Sequence, residues 1–171
     1  MKILIIYSTR AGVSRKCSEM LAEKLKGSFE VSVYDIKDNP PAPNDFDVCV
    51  VGGSIRMARI NKRLKAYLKA HAEALSSKYT ALFLCCGFTE SFDDYVAMQF
   101  PKNIIASLGI HCFGGEMKPD KLKGLDKLVI KTVLSQIKYE EFDDPDPKRS
   151  PIPEILPETI YRLADRIRAL L

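Results

Sequence analysis

The chain predicts an α/β fold: five parallel strands with helices on both faces, over residues 1–171 as one domain. Three observations lead there. Short unbroken apolar runs at 3–6, 46–51 and 80–86 have the look of strands buried on both faces of a parallel sheet. Helical spacing alternates with those runs, as in Val13, Cys17, Met20/Leu21, Leu25 and in Ile60, Leu64, Tyr67/Leu68, Ala72, Leu75. The first three runs also end abruptly at hydroxyls or glycines.

The first strand runs straight into Ser8, Thr9, Arg10, Ala11, Gly12, Val13 and Ser14, where helical spacing begins. A helix start carries unpaired N–H donors and the positive end of the macrodipole, so it suits a phosphate. Ser8, Thr9 and Ser14 add hydroxyls, Arg10 adds charge, and Gly12 lets backbone come close. The plain alternative is a turn whose hydroxyl caps the helix, but a cap needs only one. The turn is neither GxxxxGK[ST] nor GxGxxG, so nucleoside-triphosphate and classical dinucleotide sites lack their residues.

The first helix is expected to end near Lys26, with Gly27 as its stop. Residues 30–36 partly alternate and form the second strand. The link at 38–45 holds three prolines, so it predicts an extended crossing or a single helical turn. A third strand at 46–51 precedes a turn at 52–57, from Gly52 to Met57. One helix is expected from Ile60 through Leu75. Its outer face carries Arg59, Lys62, Arg63, Lys65 and Lys69, which read as a solvated face; the alternative is that Arg56, Arg59 and Arg63 form a basic rim for substrate carboxylates. His71 is an ordinary boundary residue. A fourth strand at 80–86 leads to a loop at 87–95 and helical spacing to Gln99. Pro101 then kinks that helix or starts another that stops at Gly109. A fifth strand covers 110–117, with His111 as a packed edge residue. An amphipathic helix follows at 125–137, then an acidic proline-containing loop at 140–146, and a closing helix opens at Pro157.

No apolar run approaches the length of a membrane span, and Met1 leads directly into the first strand, so a cytoplasmic protein is expected. Five cysteines are an odd number with neither CxxC nor a histidine at metal-ligand spacing, which favours reduced thiols and no metal. Adjacent Cys85 and Cys86 invite a dithiol reading, but small buried cysteines are common in strands and a vicinal disulfide needs unusual geometry. A net charge of +4 without a basic–aromatic platform gives no reason to expect nucleic acid.

The Ser8-Thr9-Arg10-x-Gly12-x-Ser14 turn, followed by Gly52-Gly53-Ser54-Ile55-Arg56, resembles the flavodoxin superfamily. Within it, the motifs are similar to the branch containing the menaquinone-dependent protoporphyrinogen IX dehydrogenases, over about the first two thirds of the chain. The resemblance implies a three-layer fold with strand order 2-1-3-4-5 and FMN at the carboxyl ends of the strands. The FMN phosphate would lie on Ser8 to Ser14. The isoalloxazine would lie between Gly53, Ser54, Ile55, Arg56, Met57 and Cys86, Gly87, Phe88. It also implies that a peptide carbonyl within 52–54 faces the flavin N5, and that Phe88 is the aromatic nearest the ring, since the chain has no Trp. Phe92, Tyr95 and Val96 fit one helix face and suit the core. The activity implied is oxidation of a reduced tetrapyrrole-like substrate, with a quinone or other acceptor reoxidising the flavin. Weak peripheral contact at the inner face of the membrane, through 121–137, goes with a lipid-soluble quinone; an oligomer stays open. Met57 stands where that branch tends to carry an aromatic. Shuttle flavodoxins are typically acidic, unlike this chain. An electron-transfer flavodoxin is the alternative, and an NAD(P)H:quinone reductase the third.

Overall fold

A computed structural model of the protein describes residues 1–116 and 154–171. The expected helix at 125–137 and acidic loop at 140–146 lie outside the described residues. Five parallel strands, β1 (Lys2–Ser8), β2 (Glu30–Asp35), β3 (Val48–Ser54), β4 (Tyr79–Cys85) and β5 (Gly109–Cys112), form one sheet in the order β2-β1-β3-β4-β5. The order reverses between β1 and β3, so a crevice opens beside their carboxyl ends.

Strand alternation divides the core in two. Ile3, Ile5, Val48, Val50, Ala81 and Phe83 face helices α1 (Val13–Leu25) and α5 (Pro157–Arg168), where Cys17, Leu21, Leu25, Ile160, Leu163 and Ile167 cover them. Leu4, Ile6, Cys49, Val51, Leu82 and Leu84 face the other side. They meet Leu64, Leu68 and Leu75 from α2 (Lys62–Ala70) and α3 (Ala72–Ser76). The remaining helix, α4 (Phe92–Gln99), lays Phe92, Tyr95 and Val96 against this second cluster, as their spacing predicts. The closing helix opens on Pro157 as expected, a position where proline's missing N–H costs nothing.

The link between β2 and β3 is two single helical turns, Ile36–Asp38 and Pro43–Asp45. Four expectations change. The helix expected from Ile60 through Leu75 divides at His71, whose φ of −114° and ψ of 17° leave the helical range while its ring sits 4.4 Å from that of Tyr67. No helix spans Pro101 to Gly109; residues 101–108 are turns and irregular chain. Phe100 is extended, φ −88° and ψ 141°, as a residue before proline tends to be, and that stops α4. The fifth strand ends at Cys112 instead of 117, because Gly114 takes φ 70° and pairs antiparallel with Ile155. The third strand begins at Val48 and continues through the glycines to Ser54, so Gly52 and Gly53 belong to the sheet and not to a turn.

Candidate functional site

Gly52 and Gly53 pair with Phe83 and Leu84 on one side and with Tyr7 and Ser8 on the other. A Cβ at Gly52 would lie 2.0 Å from the Phe83 carbonyl oxygen, and one at Gly53 would lie 2.1 Å from the Ser8 hydroxyl oxygen. Their smallness is therefore used against the neighbouring strands. The β1–α1 turn is drawn against β3 by the same contact and by Ser14, fully buried, whose hydroxyl lies 2.6 Å from that of Ser54.

Two of the turn's hydroxyls have hydrogen-bond partners in the protein. Thr9 Oγ1 accepts from the Gly12 N–H at 2.9 Å, Ser14 meets Ser54, and Ser8 sits on Gly53. Thr9 accepts in its contact and so keeps its own O–H as a donor, and the amides of the first helical turn add to it. The first i→i−4 bond of α1 runs from the Lys16 N–H to the Gly12 carbonyl, so the N–H groups of Val13, Ser14 and Arg15 precede it. No side chain caps this helix end and no acidic residue lies in its first turn, whereas Asn61 caps α2 by accepting from the Arg63 N–H at 2.8 Å. Gly12, at φ 91°, has nothing within 4 Å of where its Cβ would be. Exposed Arg10 and Ala11 border that opening. Open amides, a helix dipole, adjoining positive charge and clear space fit a phosphate.

Across the crevice, Ile55 donates its N–H to the Cys85 carbonyl at 3.0 Å, tying the chain after β3 to the end of β4. Arg56 and Arg59 exchange two backbone hydrogen bonds, of 2.9 and 3.0 Å, around Met57 and Ala58. Those two residues hold φ of 48° and 58°, the left-handed pair of a type I′ turn. Met57, 80% exposed, sits at the tip. Gln99, buried at the end of α4, steadies this turn by donating from Nε2 to the Ala58 carbonyl at 2.9 Å and accepting from the Ile60 N–H at 3.4 Å. Nothing in the sequence around Gln99 marks it for that role. Arg56, Arg59, Lys62 and Arg63 are all exposed on this side.

After β4, Cys86 is buried, and Gly87 and Phe88 are half-buried. A Cβ at Gly115 would lie 2.9 Å from the Gly87 nitrogen and 3.1 Å from the Cys86 carbonyl carbon, so the end of β5 backs this loop directly. Lys16 of α1 and Glu116 close that side with a 2.7 Å ion pair. Cys85 and Cys86 point to opposite faces. The Cys85 sulphur lies 3.8 Å from that of Cys17, and the Cys86 sulphur 3.6 Å from that of Cys112. Sequence reading considered the adjacent pair and missed both cross-element pairs, one made by the packing of α1 on β4 and the other by the β4–β5 register.

A family model described as a flavodoxin domain matches residues 4–144. The chain belongs to that family. Its cofactor is FMN. Among curated proteins, the protoporphyrinogen IX dehydrogenase [quinone] of Escherichia coli K12 is 32% identical over 85 residues, covering 48% of this chain and 47% of the relative. The same-named proteins of two other E. coli strains match equally. The chain thus spans about half the length of the curated relatives it matches. A Streptococcus pneumoniae TIGR4 flavodoxin superposes over 100% of both chains with a TM-score of 0.51 at 10% identity, a likeness of fold alone. Oxidised flavodoxin 1 of Bacillus cereus covers 66% of this chain and 84% of its own, with a TM-score of 0.47 and 15% identity. This flavodoxin-domain chain is a flavoprotein. Among the described residues, no helix is long and apolar enough to cross a membrane.

Proposed function

We propose that this flavodoxin-domain protein is an enzyme that takes electrons from a reduced tetrapyrrole-like substrate of the protoporphyrinogen class and delivers them to a quinone. The observation that carries the reading is the 32% identity over 85 residues to a protein named for that reaction. The net charge of +4 supports an enzyme over an electron shuttle, since shuttle flavodoxins are typically acidic. When bound, FMN supplies the hydride- and electron-carrying centre. The chain's own residues bind and orient it. The amides of 13–15, with Thr9, Arg10 and Ser14, hold the phosphate. The segments Gly53 to Met57 and Cys86 to Phe88 flank the ring, with Phe88 its nearest aromatic. Arg56 and Arg59 at the turn present positive charge to substrate carboxylates. The protein works in the cytoplasm, with at most weak contact at the inner face of the membrane.

The test is anaerobic mixing of the FMN-loaded protein with protoporphyrinogen. The flavin absorbance is expected to bleach, and a menaquinone analogue to restore it. A flavin that protoporphyrinogen leaves untouched, while a flavodoxin reductase reduces it, would replace the enzyme with the electron-transfer reading.

A further inference from the structure

Cys86 and Cys112 come together at the carboxyl ends of β4 and β5. Leu84 stands opposite Cys112 in the parallel register, and the Phe113 N–H donates to the Leu84 carbonyl at 2.9 Å. Cys86 is the first residue beyond β4, placed beside the end of β5. The two sulphurs are 3.6 Å apart, and both are thiols. They differ in access: Cys86 is 4% exposed, whereas Cys112 is half-buried. Their surroundings differ as well. The hydrogen bond with the Cys86 sulphur, and the backbone N–H groups of Gly114 and Cys86, support a thiolate at Cys112, against the opposing effect of burial. Cys112 is drawn down to about 7, while that same hydrogen bond, then burial, pushes Cys86 up. A low-lying, reachable thiolate beside a buried thiol is the arrangement of an attacking and a resolving cysteine.

We propose that Cys86 and Cys112 are a modification site: a dithiol that hydrogen peroxide converts to a disulfide and an external dithiol converts back. The Cys112 thiolate attacks one peroxide oxygen, breaking the O–O bond and leaving a sulfenic acid and hydroxide. The Cys86 thiol then attacks the sulfenic sulphur, the S–S bond forms, and water leaves with the thiol proton. The hydroxide takes up the proton that Cys112 had given. In sum, two thiols and one peroxide give one disulfide and two waters, with two electrons passing from sulphur to oxygen. Closure needs the sulphurs to move from 3.6 Å to the ~2.05 Å of a disulfide. The other cysteines lack this combination. Cys17 and Cys85 are sealed between α1 and β4, and Cys49 is buried and pushed up to about 12, chiefly by burial. The proposal stands on the two sulphurs and does not depend on how FMN is held.

The FMN-loaded full chain is treated with hydrogen peroxide, denatured, alkylated and mapped by peptide mass spectrometry. One linked peptide joining Cys86 to Cys112 is expected, abolished by dithiothreitol, with Cys17, Cys49 and Cys85 alkylated. Before oxidation, iodoacetamide should label Cys112 at least about tenfold faster than those three at pH 7. In Cys86→Ser, peroxide should leave a sulfenic acid at Cys112 that dimedone traps. Full alkylation of Cys86 and Cys112 after peroxide would overturn the proposal. So would a linkage found only between chains, or, in a Cys86→Ser protein that still binds FMN, no dimedone adduct at Cys112.

Discussion

A Cβ at Gly52 would meet the Phe83 carbonyl at 2.0 Å and the Phe83 ring at 2.5 Å, both parts of the β4 core. Gly52→Ala is expected to cost at least about 2 kcal/mol, because β4 must shift to admit it. Gly53→Ala should cost less, since its nearest neighbour is the Ser8 hydroxyl, which can turn. Urea denaturation ranks them, and a Gly52→Ala protein as stable as the parent would refute the packing argument. The proposed phosphate turn is tested at the same scale. Losing a hydrogen bond to a charged group costs about 1.5–3 kcal/mol, so Ser14→Ala should weaken FMN by about ten- to a hundredfold, and Thr9→Ala with Ser14→Ala by more. Titration of the apoprotein with FMN measures this, and unchanged affinity would move the phosphate elsewhere. Cys112 makes a pH prediction. Thiolate is the reactive form, and its pKa is lowered to about 7, so alkylation should rise with pH through a midpoint near 7. In Cys86→Ala, which removes the thiol donor, the midpoint should move upward.

At the scale of elements, the Met57–Ala58 turn places two non-glycine residues at positive φ, each costing roughly 1–2 kcal/mol. Ala58→Gly relieves one of them but adds freedom to the unfolded chain, so a net gain of about 0–1 kcal/mol is expected. A clear loss of stability on calorimetry would show that the turn is not strained. The end of β5 offers a second element-level test. Burial lowers the His111 pKa from 6.5, and Arg166 and Arg162 of α5 lower it further, although the contact of Nε2 with the Leu108 carbonyl at 2.9 Å works the other way. The unfolded chain then binds this proton at higher pH than the folded one. Its contribution is fully present above 6.5 and is lost as pH falls through that value towards the folded pKa. Melting temperature should therefore drop between about pH 7.5 and pH 5.5, and drop less in His111→Asn. Equal drops in both proteins would assign the effect to other groups.

For the whole molecule, α5 completes the core that α1 begins. Leu163 and Ile167 are fully buried in the same cluster as Leu21 and Leu25, and Lys24 lies 4.6 Å over the Tyr161 ring. Leu163→Ala should cost about 2–5 kcal/mol and weaken FMN only as far as the fold loosens. If FMN affinity falls sharply while the melting temperature holds, α5 would have a direct part in the site. Attachment to membrane is also a property of the whole. Co-sedimentation with anionic liposomes should be weak at low salt and vanish at high salt. Salt-resistant binding would contradict the cytoplasmic assignment.

The buried strand runs, the helices at 3.6-residue spacing and the hydroxyl-rich turn were legible because each is local: a handful of neighbouring residues sets the period, the stop or the cap. From them came the parallel α/β fold, the phosphate turn and the closing helix. What residues distant in the chain do to one another was not legible. Strand register decided that Gly52 and Gly53 pack against β4 and β1, and tertiary packing decided that Gln99 holds the turn at Ala58 and that Gly115 backs Gly87. The cysteines show the reason most directly. Cys85 and Cys86 are neighbours in sequence, but strand alternation sends them to opposite faces, where partners 68 and 26 residues away meet them.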